Sequence, residues 1–242
     1  MRAIIDSAAP ASALFPSGGL SLFCPMVGRG WNRGVLYVGR AVNGWGETNP
    51  LRAETLDQAD AVEKAIDYSL GSCGWDQSRE TCPILDWYEL MLVKKQKKEI
   101  SWNIHKSRFW SVIKECAGDG PDWTWQVAWT NLYKLSPAAG RNPQTWLKNA
   151  TFEACLAMLS AEIGHLEPRA VVFQTGWWWA KPFIDRLGVE AGHEIGVIAG
   201  QLCWVGVYPA VGKIPLVVVP HPERKKKAPI VETIREQLKE AA

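Results

Sequence analysis

Polar side chains suited to recognition and catalysis follow short apolar runs at three places in this sequence. Asn43 lies in the loop after the run 34–39, Asn131 is the last polar residue of the run 126–132, and His221 follows the run 216–219. A side-chain amide presents a donor and an acceptor in one plane, which suits the edge of a pyrimidine base. An imidazole is a fixed donor that stabilises developing negative charge. The alternatives are ordinary structural roles: an Asn that caps a strand turn and a His that bonds to the backbone.

Four buried strands, separated by helices, must position these residues. The apolar, β-rich runs 34–39, 126–132, 169–175 and 216–219 predict the strands. Apolar spacing of three to four residues, together with prolines at helix starts, predicts helices over 53–70, 143–166 and 229–242, and a further helix follows the strand 169–175 and the tryptophan triplet and ends at 187. Buried strands alternating with helices predict a three-layer α/β/α fold around a four-stranded, mostly parallel sheet. Sites in such sheets collect at the carboxyl ends of the strands, here 39–46, 130–141 and 220–227.

We predict a single domain over 1–242, with two segments outside this regular alternation. Residues 1–33 mix Pro, Gly, Ser and Ala with short apolar groups, which is typical of an irregular N-terminal arm. Residues 71–124 form a Trp-rich inserted or lid segment with helices over 83–98 and 106–117. Its lysine run 94–98 suits either a surface that binds single-stranded nucleic acid or a solvated helix face. Residues 201–208 predict a hairpin strand.

Composition is that of a soluble globular protein, with 47% hydrophobic and 21% charged residues among 242. The net charge is only +2, so DNA binding requires a local basic patch. The 14 tryptophans suit a core, a partner surface or base stacking. Six scattered cysteines without a CxxC pair favour reduced thiols and a cytoplasmic protein without a zinc site. The sequence shows no basic leader followed by an apolar run, and no apolar run of about 20 residues. We therefore predict neither a signal peptide nor a membrane span.

Three sequence blocks resemble the uracil-DNA glycosylase superfamily, most closely its family four, the small thermophile-type enzymes. The most specific block is TNLYKLSPAAGRNP, residues 130–143, which matches the family pattern TNVVKCRPPGNRNP. The first strand opens into a glycine-containing loop where the family has GEAPG, and the last strand ends in HPE where the family has an HPS-type motif. The resemblance implies recognition of a base flipped out of DNA and hydrolysis of its N-glycosidic bond.

The resemblance also assigns roles to residues. Asn131 would contact the base together with Gly39 and Ala41 of the first loop, and His221 would stabilise the leaving base. DNA phosphates would be bound by a cationic set that consists of Lys134, Arg141, Arg224 and Lys225. Arg224 begins a run of four basic residues that is equally typical of a solvated charge cluster before the last helix.

The sequence departs from the family in two ways that bear on activity. The carboxylate of the first loop is absent, because Arg40 and Ala41 occupy those positions. Its replacement is either Asn43, the nearest polar group, which orients water without being a strong base, or Glu47, the first carboxylate that follows. Only Cys155 matches a ligand of the family's iron–sulfur cluster, so no cofactor is predicted. Enzyme activity therefore stays open, beside two alternatives: an inactive nucleic-acid or nucleotide-binding module, and an interaction protein with a tryptophan surface. The sequence predicts no oligomeric state.

Overall fold

The computed structural model describes residues 1–28, 30–41, 51–56, 58–72, 94–98, 103–118, 120, 123–209 and 212–240. Its strands are β1 (Leu20–Leu22), β2 (Met26–Val27), β3 (Val35–Ala41), β4 (Val127–Tyr133), β5 (Leu135–Pro137), β6 (Ala170–Phe173), β7 (Glu190–Ile198), β8 (Gln201–Tyr208) and β9 (Ile214–Val218). Its α-helices are α1 (Arg2–Ala8), α2 (Ala59–Ser72), α3 (Arg108–Ala117), α4 (Thr145–Leu166), α5 (Trp177–Ile184) and α6 (Lys227–Glu240). The mixed α/β class predicted from the sequence is confirmed.

Seven strands form the main sheet, in the order β2-β4-β3-β6-β9-β8-β7. The four predicted strands are β4, β3, β6 and β9, which are neighbours and run parallel to one another. The predicted size of the sheet is wrong, because antiparallel strands extend it on both sides. Strand β2 pairs with β4 at one edge, and the hairpin β7–β8 pairs with β9 at the other. The sheet is therefore seven-stranded and mixed, with the parallel strands at its centre.

Helices pack on both faces of this sheet because successive side chains of a buried strand point to opposite sides. Val38 belongs to a core cluster with residues of α1, α2, α4 and α5, whereas its neighbour Tyr37 belongs to a second cluster with residues of α3 and α6. We call these sides the α4 face and the α6 face. Ser107 caps α3 by accepting a hydrogen bond from the Trp110 backbone N–H.

The N-terminal segment is more regular than predicted. Within residues 1–33, the chain forms α1, a 3₁₀ turn over Ala9–Leu14 and the strands β1 and β2. Ile4 and Ile5 are buried in the core of the α4 face, and β1 pairs with β5 in a separate two-stranded sheet. The prediction of an irregular arm is therefore wrong for these elements, since their apolar side chains complete the core.

Most of the predicted Trp-rich segment lies outside the described residues. The helix predicted over 106–117 is confirmed as α3, which buries Trp110, Val112 and Ile113 against the α6 face. Of the helix predicted over 83–98, only residues 94–98 are described, and residues 94–96 are helical. Among the described helices, none is long and apolar enough to cross a membrane.

Candidate functional site

Three adjacent parallel strands carry a continuous row of site residues at their carboxyl ends. Asn131 of β4 is paired in register with Gly39 of β3. On the other side of β3, the backbone N–H of Gln174 donates to the Val38 carbonyl at 3.0 Å, which places Gln174 beside Gly39. We call Asn131, Gly39 and Gln174 the strand-end row. Because neighbouring strands lie about 4.8 Å apart, the backbones of Asn131 and Gln174 are separated by roughly 9.5 Å, with Gly39 between them.

The strand-end row faces the α6 side of the sheet. Tyr37, Trp129 and Val172 belong to the core cluster of that side, and each row residue follows one of them by two positions. Side chains two apart on a strand share a face. The side chains of Asn131 and Gln174 therefore point to the same side of the sheet. Both amides must lie on one side if they are to contact the same base.

The two amides of the row are buried and incompletely hydrogen-bonded. Asn131 is 1% exposed and Gln174 is 0% exposed. Within the described part of the chain, Nδ2 of Asn131 and both Nε2 and Oε1 of Gln174 have no hydrogen-bond partner. A buried polar group without a partner costs about 1–3 kcal/mol. The row thus presents donors and an acceptor that a polar ligand or an ordered water can satisfy.

Gly39 is required by the close approach of the Asn131 side chain. A Cβ atom at position 39 would overlap Oδ1 of Asn131 and lie 3.5 Å from Nε1 of Trp129. The absence of a side chain leaves the Asn131 amide lying across the backbone of β3. The neighbouring Ala41, another predicted base-binding residue, pairs with Tyr133 and is half-buried.

His221 lies in the turn that follows β9, and its ring is neutral near pH 7. Burial, together with the positive charges of Arg40 and Lys225, lowers the pKa of His221 to about 4. The backbone N–H of Glu223 donates to Nδ1 at 3.3 Å. An accepting Nδ1 on a neutral imidazole places the proton on Nε2. His221 therefore offers one N–H donor without a charge.

Arg40 lies at the end of β3 on the α4 face, opposite to Gly39. Its Nε donates to the Thr175 carbonyl at 2.7 Å, and its guanidinium carbon lies 5.3 Å from the centre of the Trp179 ring. Burial lowers the pKa of Arg40, while the carboxylate of Glu223 raises it. Arg40 also borders a cavity of about 460 Å³. The lining of this cavity includes Thr175, Gly176, Trp177, Trp178, Trp179 and Gln201.

One predicted phosphate-binding residue is unable to reach DNA. Lys134 is completely buried, with Nζ 2.8 Å from a carboxylate oxygen of Glu162 and in contact with the Thr130 hydroxyl. Thr130 donates in turn to Glu162 at 2.8 Å. The prediction that Lys134 binds phosphate is wrong, because its ammonium belongs to an internal ion pair between β4 and α4.

The other predicted cations are at the surface. Arg224 is exposed with a left-handed φ of 58°, and Lys225 is half-buried with its backbone N–H donating to the Pro222 carbonyl at 3.2 Å. Both lie in the turn of His221. Arg141 is exposed in the loop after β5, a strand outside the main sheet. Asn43, the predicted catalytic residue of the first loop, lies outside the described residues.

Sequence reasoning missed two residues near this site. Gln174 is a polar residue at the end of the apolar run 169–175, and that interruption was a usable signal. Arg40 stood out only as a departure from the family's first motif, and its contacts depend on strand alignment. Among the described residues, no three His, Cys, Asp or Glu side chains come together as a metal site.

Comparisons of the sequence with protein-family models and with curated proteins found no match. The family resemblance of the three sequence blocks therefore rests on those blocks alone.

Proposed function

We propose that this chain is a uracil-DNA glycosylase-like protein that binds a base flipped out of DNA and hydrolyses its N-glycosidic bond. The observation that carries the proposal is the buried Asn131 amide, whose Nδ2 donor has no partner among the described residues and which lies against Gly39, where any Cβ atom would displace it. The proposal extends to the three-layer α/β/α arrangement of that superfamily, which agrees with helices on both faces of the sheet.

The strand-end row has the chemistry that a pyrimidine edge requires. In this proposal Nδ2 of Asn131 donates to a base carbonyl, and Oδ1 accepts from the ring N–H. Gln174, whose donor and acceptor are both unpaired within the described residues, bonds further along the same edge or holds a water. A base that satisfies these groups recovers the cost of burying them, so the free energy of binding depends on the position of each base donor and acceptor.

His221 supplies the donor for bond cleavage. Water attacks C1′ of the sugar and releases one proton to solvent, the C1′–N bond breaks, and its electron pair leaves with the base as an anion. The neutral Nε2–H of His221 stabilises this anion, which then takes a proton from solvent. The products are the free base and an abasic site. Asn43 is proposed to orient the water, and Arg141, Arg224 and Lys225 to bind phosphates.

A second candidate function is base or nucleotide binding without hydrolysis. The observation that favours it is that the strand-end row and His221, as described, offer amides and an imidazole but no carboxylate to activate water. This function uses the same Asn131 contacts and differs only in the fate of the glycosidic bond.

Incubation with labelled oligonucleotides that carry a single uracil, followed by alkali, tests both candidates. The parent protein is expected to produce alkali-sensitive sites. His221→Asn keeps an acceptor for the Glu223 N–H but removes Nε2–H, so the rate should fall about 100- to 1,000-fold while binding is retained. Asn131→Ala should abolish the preference for uracil, whereas Asn32→Ala, at an exposed position near the amino end of β3, should not.

The outcomes separate the two functions. If the protein binds uracil-containing oligonucleotides in a way that requires Asn131 but produces no strand breaks at high concentration, its function is binding without hydrolysis. Equal affinity of the parent protein for oligonucleotides with and without uracil, and no breaks, would overturn both candidates.

A further inference from the structure

A ridge of three consecutive tryptophans begins α5 and separates two cavities on the α4 face. We call Trp177, Trp178 and Trp179 the tryptophan ridge. Trp178 is 82% exposed and borders both the cavity of about 460 Å³ beside Arg40 and a second cavity of about 470 Å³. Single exposed apolar side chains are common in soluble proteins, so the exposure of Trp178 acquires meaning only from its surroundings.

The ridge is held rigidly by the residues on either side of Trp178. The Trp177 ring lies 5.3 Å from that of Trp204, and the Trp179 ring meets Tyr133 edge to face at 5.9 Å. Ala180, in the following position, is completely buried. Trp178 is therefore an indole plate on a fixed support, and its exposure follows from the orientation of a helix whose other face is packed.

Positive charge accompanies the aromatic surface. Nζ of Lys148 lies 4.9 Å from the centre of the Trp179 ring, and the Arg40 guanidinium contacts the same ring at 5.3 Å. Among the described residues that line the second cavity, Lys148 carries the charge. Thr145 and Asn149 line the same cavity. These three belong to the first turn and a half of a 22-residue helix, whose amino end carries partial positive charge and has no acidic residue in its first turn.

We infer that the tryptophan ridge binds single-stranded nucleic acid, with unpaired bases stacked on Trp178 and the phosphate backbone passing Lys148. Aromatic plates beside cations suit a single strand, because every base has a face to stack and every linkage a negative charge. A duplex hides those faces within its own stack. The site lies across the sheet from the strand-end row and does not require base excision.

Fluorescence anisotropy of a labelled, uracil-free oligothymidine of 12 nucleotides tests the inference. Trp178→Ala should weaken binding at least about fivefold, since stacking on one aromatic ring contributes that much per base. Lys148→Ala should weaken it as well. The matched controls are Trp125→Ala, a 44% exposed tryptophan at the amino end of β4, and Lys239→Ala on α6. Both controls should bind as the parent does.

Further arms separate this inference from the proposed function. Asn131→Ala should retain its affinity for oligothymidine, whether or not it processes uracil. The duplex of the same sequence should bind more weakly, and single-stranded oligouridine RNA should also require Trp178. Equal effects of Trp178→Ala and Trp125→Ala, tighter binding of the duplex, or no binding by the parent protein would overturn the inference. Because Trp178 is exposed, an unchanged melting temperature will show that its variant is folded.

Discussion

At the scale of single residues, the candidate site depends on the absence of a side chain at Gly39. The pairing of Gly39 with Asn131 brings the amide across the strand, where any Cβ atom would overlap Oδ1. The glycine is therefore a steric condition for the position of the amide, independent of backbone conformation. Base recognition and local packing are thus coupled at this one position.

Gly39→Ala should destabilise the protein by about 1–3 kcal/mol and abolish uracil-dependent binding, because the added methyl group must displace the buried Asn131 amide. Urea unfolding measures the first effect and oligonucleotide binding the second. Gly164→Ala is the matched control: a Cβ atom there meets no neighbour, and alanine within α4 should stabilise by about 0.5–1 kcal/mol. Unchanged stability of Gly39→Ala would contradict this account.

His221 should make stability depend on pH between about 6.5 and 4. Its pKa is about 4 in the folded protein, below the ordinary value of 6.5, so the unfolded chain takes up the proton first as the pH falls. Stability is then lost progressively from pH 6.5 downward, by about 2 kcal/mol at pH 4.5. His221→Asn should lose correspondingly less between pH 7 and pH 4.5 in urea unfolding. Parallel pH profiles of the two proteins would show that His221 is not the group responsible.

At the scale of elements, strand β4 and helix α4 are joined by a buried polar contact. Lys134, one residue past the end of β4, pairs with Glu162 of α4, and Thr130 of the same strand bonds to that carboxylate. A charged pair is stable in the interior only while both partners are present. The contact orients α4 on the sheet and, with it, the first turn that lines the second cavity.

Lys134→Met should cost about 3–5 kcal/mol, because Glu162 is left buried without its counter-ion. The double variant Lys134→Met/Glu162→Met should recover most of that stability and bind oligonucleotides as the parent does. Arg186→Met, which breaks an exposed ion pair with Glu153, should cost less than about 1 kcal/mol and serves as the control. Weakened DNA binding by the folded double variant would restore Lys134 as a phosphate contact.

At the scale of the whole molecule, a net charge of +2 provides no general attraction for nucleic acid. The cations assigned to phosphates belong to separate elements: Lys148 to α4, Arg224 and Lys225 to the turn after β9, and Arg141 to the loop after β5. Only the tertiary fold decides how many of them act on one strand. The dependence of the affinity on salt concentration measures how many of these cations contact phosphates.

The logarithm of the affinity for single-stranded DNA should fall with the logarithm of salt concentration with a slope of about −2 to −3, the value for three or four phosphate contacts. Arg224→Ala should make the slope shallower by about 0.7, and Lys239→Ala should leave it unchanged. Anisotropy titrations at several salt concentrations provide the slopes. A slope steeper than about −5 would indicate a larger basic surface than the one described.

The sequence by itself determined the four central strands and the helices between them, because continuous apolar runs and helical spacing report burial directly. It also located Asn131 and His221 at strand ends. Tertiary structure alone decided the pairing of Gly39 with Asn131, the arrival of Gln174 beside them and the burial of Lys134. It likewise decided strand β7, whose largely exposed residues carry no burial pattern. These features arise from alignment between distant segments, and no local property of the chain encodes that alignment.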